Sequence, residues 1–269
     1  MITIRNSTLP GITGNCLFLF PVLAILALNS CSNHTYAPAL YHQDIAYMPK
    51  PASFDTAKSA TYFSGGLNTY LDPTWTKAML ASGQVNVSQG YVFNHFNLAY
   101  GAFGELGDFS KGTSSDDKPD EKWSDKFFGA VGARLSANLF TSYERMDTRF
   151  IGFEAAYSHE FGSCSDFRKA VSHLPGYHAD TRTDLFSVGL TSEFLFHNIG
   201  DIHFQNGLRF FVGETFGNDT FNEKYLTHDD VAPHFGPVYF KVSYFLKIHQ
   251  FFATIEAGEQ VMLRAGVEF

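Results

Sequence analysis

The sequence predicts an all-β fold, an antiparallel up-and-down transmembrane β-barrel of about ten strands. Three observations carry that expectation. Apolar and polar side chains alternate with period two from about residue 59 to the end. The segments that alternate are joined by connections that are short and long in strict turn. Apolar character is interleaved rather than blocked: Phe alone supplies 29 residues and aromatics 16%, yet charged residues reach 17% and mean hydropathy is -0.10. A helical membrane protein would instead carry uninterrupted apolar runs of about 20 residues.

Taken in order, the chain opens with one continuous apolar run, 16–28, that contains Pro21. It is too short to span comfortably and lies where a secretory h-region stands, so residues 1–30 read as a signal peptide. From Ser32 to Lys58 the chain is polar, contains Pro38, Pro49 and Pro51, and has no periodicity. Residues 31–58 therefore read as an extended tether, and 59–269 as the barrel. Strands are expected near 59–69, 82–92, 96–106, 126–138, 149–161, 184–196, 202–214, 236–247, 250–257 and 261–269. Short turns fall around Asn94, Met146, Asn198 and His249, and long loops at 70–81, 107–125, 162–183 and 215–235. Bacterial barrels pair short periplasmic turns with long extracellular loops and use an even strand number. Both ends of the barrel would then lie on the periplasmic side, and the tether with them.

One face of the strands holds Phe96, Leu98, Tyr100, Ile151, Phe153, Tyr157, Phe186, Leu190, Phe210, Val212, Phe240 and Tyr244 without a charge among them. A Lys or Arg at the middle of a bilayer costs about 2–4 kcal/mol, so this is the expected lipid face. The other face holds Glu105, Arg134, Glu154, Glu160, Glu193, Arg209, Lys241, Lys247, Glu256, Arg264 and Glu268. Side chains nearly fill so narrow a lumen, and buried charges there must be paired. The expected role is structural, an interior network in which Arg134, Arg209, Lys241 and Arg264 neutralise Glu105, Glu154, Glu193 and Glu256.

Other constellations carry little chemistry. Ser158-His159-Glu160 contains triad residue types, but alternation sends His159 outward and its neighbours inward. Cys164, His173, His178 and Asp180 share one loop, and His228, Asp229, Asp230 and His234 another, at spacings matching no zinc motif. The run 116–121 lacks the glycine and the bidentate-Glu spacing of a calcium loop. No cofactor, metal or catalytic residue is expected. Without residues 1–30 the chain loses only Arg5 of its 19 Lys and Arg and none of its 27 Asp and Glu, a net of -9. No basic stripe for nucleic acid exists. Cys164 is left without a cysteine partner, so no disulfide framework forms.

The final strand, Val261 to Phe269, is apolar on one face, carries Arg264 and Glu268 on the other, and ends on Phe. It resembles the closing strand of outer-membrane β-barrels, in which Phe269 would be the barrel-assembly signal. Leu28-Asn29-Ser30-Cys31 resembles a lipobox, which implies acylation at Cys31. With Tyr36-Ala37-Pro38 and a first strand around Tyr62-Phe63-Ser64-Gly65-Gly66-Leu67, the chain is similar to small lipid-anchored outer-membrane barrels of Bacteroidetes type. No acidic cluster follows Cys31 of the kind linked to surface export there, which fits a periplasmic tether. The resemblance implies outer-membrane lipid and the barrel-assembly machinery as partners, and possible contact with another envelope protein. A non-enzymatic scaffold or accessory component of an envelope assembly is the first functional expectation. A small porin or channel is the second and an outer-membrane lipid-modifying enzyme the third.

Overall fold

Each alternating segment forms a strand, and the strands close on themselves. The computed structural model describes residues 34–71, 78–111, 126–173, 177–198, 201–216 and 238–269. Ten strands build the wall: β2 (Ser59–Leu71), β3 (Ala78–Val92), β4 (Phe96–Lys111), β5 (Lys126–Tyr143), β6 (Met146–Phe161), β8 (Asp184–Asn198), β9 (Asp201–Phe216), β10 (Val238–Ile248), β11 (Phe251–Ala257) and β12 (Val261–Glu268). Each pairs antiparallel with its sequence neighbour in the wall, and β12 pairs with β2 to close the cylinder. Phe269 reinforces that seam: its backbone exchanges hydrogen bonds with Thr61, at 2.9 and 3.1 Å, and its ring is exposed. Closure pairs every described strand of the wall on both sides, the condition for crossing a membrane with strands.

Alternation sorts the side chains as a barrel requires. Leu67, Val85, Leu106, Val131, Leu190, Val212, Phe240 and Leu263 face outward and are exposed. A continuous apolar surface of this extent belongs against lipid. Outward carboxylates such as Asp108, Asp184 and Glu214 stand toward the long-loop end of their strands. The wall is therefore that of a transmembrane barrel.

The alternation slips once in a consequential place. Register shifts between Arg149 and Gly152 mark a bulge in β6, where Phe150 and Ile151 are both exposed. The extra residue inverts the parity before it, so Arg149 points inward although it shares the odd parity of outward Ile151 and Phe153.

At the long-loop end, the connection after β6 folds into helix α1 (Ser163–Val171) and β7 (Tyr177–Ala179). Arg168 of α1 is buried and ties this cap together. It donates to the Asp180 and Arg182 carbonyls, at 2.7 and 3.0 Å, and to Glu160 Oε1 on β6 at 2.7 Å. Cys164 is buried beneath, with Sγ 3.0 Å from the Lys126 carbonyl. Burial pushes its thiol up to about 12.

The main correction concerns residues 37–58. They are no free tether, for Leu40 to Ala52 are buried, Asp44 and Ala52 completely so. This segment runs through the lumen. Nor does the described amino-terminal end lie by the short turns: β1 (His34–Tyr36) pairs in parallel with β7, at the long-loop end. Cys31 and the signal segment lie outside the described residues.

Candidate functional site

The interior of the barrel is where polar and charged groups concentrate, and the plug explains their arrangement. A segment without regular structure must find partners for its backbone carbonyls once it is buried. Cations of the wall supply them. Arg134 Nε donates to the Asp44 carbonyl at 2.5 Å, and Lys241 Nζ to that of Ile45 at 2.8 Å. Arg264 reaches the Tyr47 carbonyl. Arg149 Nη2 donates to those of Lys50 and Pro51 at 3.3 and 3.1 Å. These four cations from four strands hold successive carbonyls along the plug.

Carboxylates complete the network. Glu193 accepts from Arg149 at 2.8 and 2.9 Å and from the Tyr47 hydroxyl at 2.5 Å, with Lys50 Nζ at 4.0 Å. Glu256 accepts from the Tyr47 amide and Ser243, both at 2.9 Å, and pairs with Arg264 at 3.1 Å. Arg209 grips Glu154 through Nε and Nη2 and stands 3.7 Å from Glu256. Plug and wall also meet through Lys50 Nζ, 2.8 Å from Ser136 Oγ.

All eight residues expected in the lumen network are buried, but the pairing is not one cation to one acid. Arg209 and Arg264 meet Glu154 and Glu256. Glu193 takes Arg149 instead. Glu105 is held by Ser82 and Gln84, both at 2.5 Å, with no cation at ion-pair distance among the described residues. Arg134 and Lys241 serve the plug's carbonyls, and Arg134 also lies 3.7 Å over the Phe103 ring. The reason is physical: in a lumen that holds a chain, the carbonyls of that chain compete with carboxylates for cations. Sequence reasoning missed Arg149, Tyr47 and Lys50. The adjacent apolar pair Phe150-Ile151 was the available signal for the bulge.

Two gaps between plug and wall measure about 10 Å³ each, one beside Tyr47 and Arg134, the other beside Ile45 and Lys241. That is about the room one water molecule needs.

On the outer surface, His159 pairs with Asp184 at 2.9 Å, and the Tyr157 hydroxyl reaches the same carboxylate at 2.6 Å. Ser158 and Glu160 are buried inside, so the three consecutive triad types lie on opposite faces. Among the described residues, no group of three or more His, Cys, Asp or Glu could hold a metal ion. The histidines and acids at 228–234 and the acidic run 116–121 lie outside them.

Wall and lumen together define a transmembrane β-barrel plugged by its own amino-terminal segment. No protein-family model and no curated protein matches the chain. Among solved structures, it is similar to an outer-membrane channel from Pseudomonas putida F1, at 10% identity and a TM-score of 0.39, over 82% of this chain and 100% of that one. It is also similar to the transport unit of the autotransporter AIDA-I from Escherichia coli, at 7% identity and a TM-score of 0.38, over 83% of this chain and 93% of that one.

Proposed function

We propose that this protein is an outer-membrane barrel lipoprotein, acylated at Cys31, that acts as a non-enzymatic scaffold or accessory component of an envelope assembly. The short turns would face the periplasm and the long loops the exterior. One observation carries the choice of scaffold over pore: the lumen is occupied by residues 38–52, whose carbonyls are tied to Arg134, Lys241, Arg264 and Arg149. Two gaps beside the plug, of about 10 Å³ each, fit a lumen that this segment closes.

Planar-bilayer recording of the refolded full chain tests this. Silence is the expected outcome, and steady open conductance would overturn the scaffold reading in favour of a channel. A variant lacking residues 37–52 that still shows a heat-modifiable band should conduct, because the plug is what closes the lumen. Mass spectrometry of membrane lipids from a deletion strain addresses enzymatic activity, and an altered acyl profile would count against the proposal. Affinity purification from solubilised outer membrane should recover a stoichiometric envelope partner.

A further inference from the structure

The plug does more than fill the barrel, because it crosses it once in a defined direction. Near its start, the Ala39 amide donates to Glu160 Oε2 at 2.7 Å, and His42 Nδ1 lies 2.9 Å from Glu259 Oε1. Glu160 closes β6 at the long-loop end, and Glu259 sits in the turn joining β11 to β12 at that same end. Near its finish, Ser53 donates from its amide and its hydroxyl to Asp147, at 2.7 and 2.6 Å. Asp55 then meets Gln205 at 2.7 Å and Lys247 at 3.7 Å, and Lys247 pairs with Glu268 at 2.6 Å. Asp147, Gln205, Lys247 and Glu268 all belong to the short-turn end. Asp147 and Glu160 lie on one strand, about 43 Å apart along it at the rise of a β-strand. The chain thus enters at the long loops, traverses the lumen and emerges at the short turns to begin β2. Ahead of Ala39, β1 is paired with β7 of the long-loop cap.

From this direction we infer that the amino-terminal arm stands on the cell surface and that Cys31 inserts its acyl chain into the outer leaflet. The inference rests on the proposed outer-membrane orientation and acylation. Three Cα-to-Cα steps lead from Cys31 to His34, a reach of about 10 Å, whereas the apolar band of such a barrel is about 25 Å tall. The acyl chain therefore cannot return to the periplasmic leaflet through the membrane, and the filled lumen offers no second path. The plug is then fixed at both ends, covalently to β2 on one side of the membrane and through a lipid on the other. A lipid placed there latches the plug, since withdrawal toward the periplasm would drag the acyl chain out of the leaflet.

The test uses three epitope insertions in the full chain, each checked for a heat-modifiable band: after Ser32, at Asn94 in a short turn, and within the 217–237 connection. In intact cells the first and third should bind antibody, and the Asn94 epitope only after the outer membrane is permeabilised. If the Ser32 epitope behaves like that at Asn94 while the 217–237 epitope stays accessible, the surface arm is refuted and the orientation survives. If the Asn94 epitope is accessible and the 217–237 epitope is not, the orientation itself fails, and this inference with it. As a second measurement, Asn33→Cys should react with a membrane-impermeant maleimide on intact cells, with buried Cys164 as a silent background, and absence of reaction refutes the arm. Finally, a protease site after Ser32, cut from outside palmitate-labelled cells, should part the label from the barrel band. Label that stays with the cut barrel would refute acylation at Cys31.

Discussion

Replacing Arg149 with alanine should be the most damaging single change in the lumen. The guanidinium gives Glu193 two hydrogen bonds, at 2.8 and 2.9 Å, and caps the Lys50 and Pro51 carbonyls. Both charged partners are buried, each about 1% exposed. Its loss leaves Glu193 with the Tyr47 hydroxyl at 2.5 Å and Lys50 at 4.0 Å. Stranding one member of a buried pair costs about 3–5 kcal/mol. Lys50 moderates that cost, while the two uncapped carbonyls add to it, so about 4 kcal/mol is a fair expectation. Proteins of roughly this size lose about 2–4 °C of melting temperature per kcal/mol, which makes the drop about 8–16 °C. The assay is the temperature at which the compact, heat-modifiable gel band converts to the unfolded one at fixed heating time. Arg149→Met combined with Glu193→Gln removes the stranded carboxylate and should regain part of the loss, the remainder being the Lys50 ammonium, which keeps Ser136 Oγ but loses Glu193. A single variant within about 2 °C of the parent would refute the argument, as would a double variant no better than the single.

Three further outcomes are expected. Arg209→Ala should also lower that temperature, since Glu154 would lose its bidentate partner, whereas His159→Phe on the outer face should leave it nearly unchanged; the reverse result would mean that inside and outside have been exchanged. Gly90→Leu should open conductance or destabilise the barrel, because even a Cβ there would come within 2.9 Å of Pro51 Cδ; Gly104→Ala, whose Cβ would meet nothing closer than 3.9 Å, should do neither in the same bilayer and gel assays. Cys164, buried and with its thiol raised to about 12, stays protonated at neutral pH and should resist a thiol reagent until the protein is unfolded, which a colorimetric thiol titration will read.

The wall was legible to within a few residues. Strands expected near 96–106, 149–161 and 261–269 appear as Phe96–Lys111, Met146–Phe161 and Val261–Glu268. Their extensions run past the expected bounds at both ends of the barrel, into the long-loop side at 107–111 and into the short-turn side at 146–148. The inward placement of Glu105, Glu154 and Arg209 follows from parity alone. Arg149 escaped because one bulged residue inverts parity, and a bulge depends on how two strands meet rather than on either one. The plug escaped for a related reason: a polar, proline-containing stretch without periodicity reads as tether whether it lies in water or inside a barrel.

By itself, then, the sequence determined which residues form the wall and, apart from the bulged stretch of β6, which face of each looks inward. Period-two alternation is a local property, imposed by the pleat on consecutive side chains. Only the tertiary structure decided what occupies the lumen and from which end it enters. The contacts that settle this join residues far apart in the chain, Arg264 to Tyr47, Lys241 to Ile45, Ala39 to Glu160. An irregular segment becomes stable in the interior only when a closed ring of strands brings cations and carboxylates to its backbone. That closure is a property of all ten strands together.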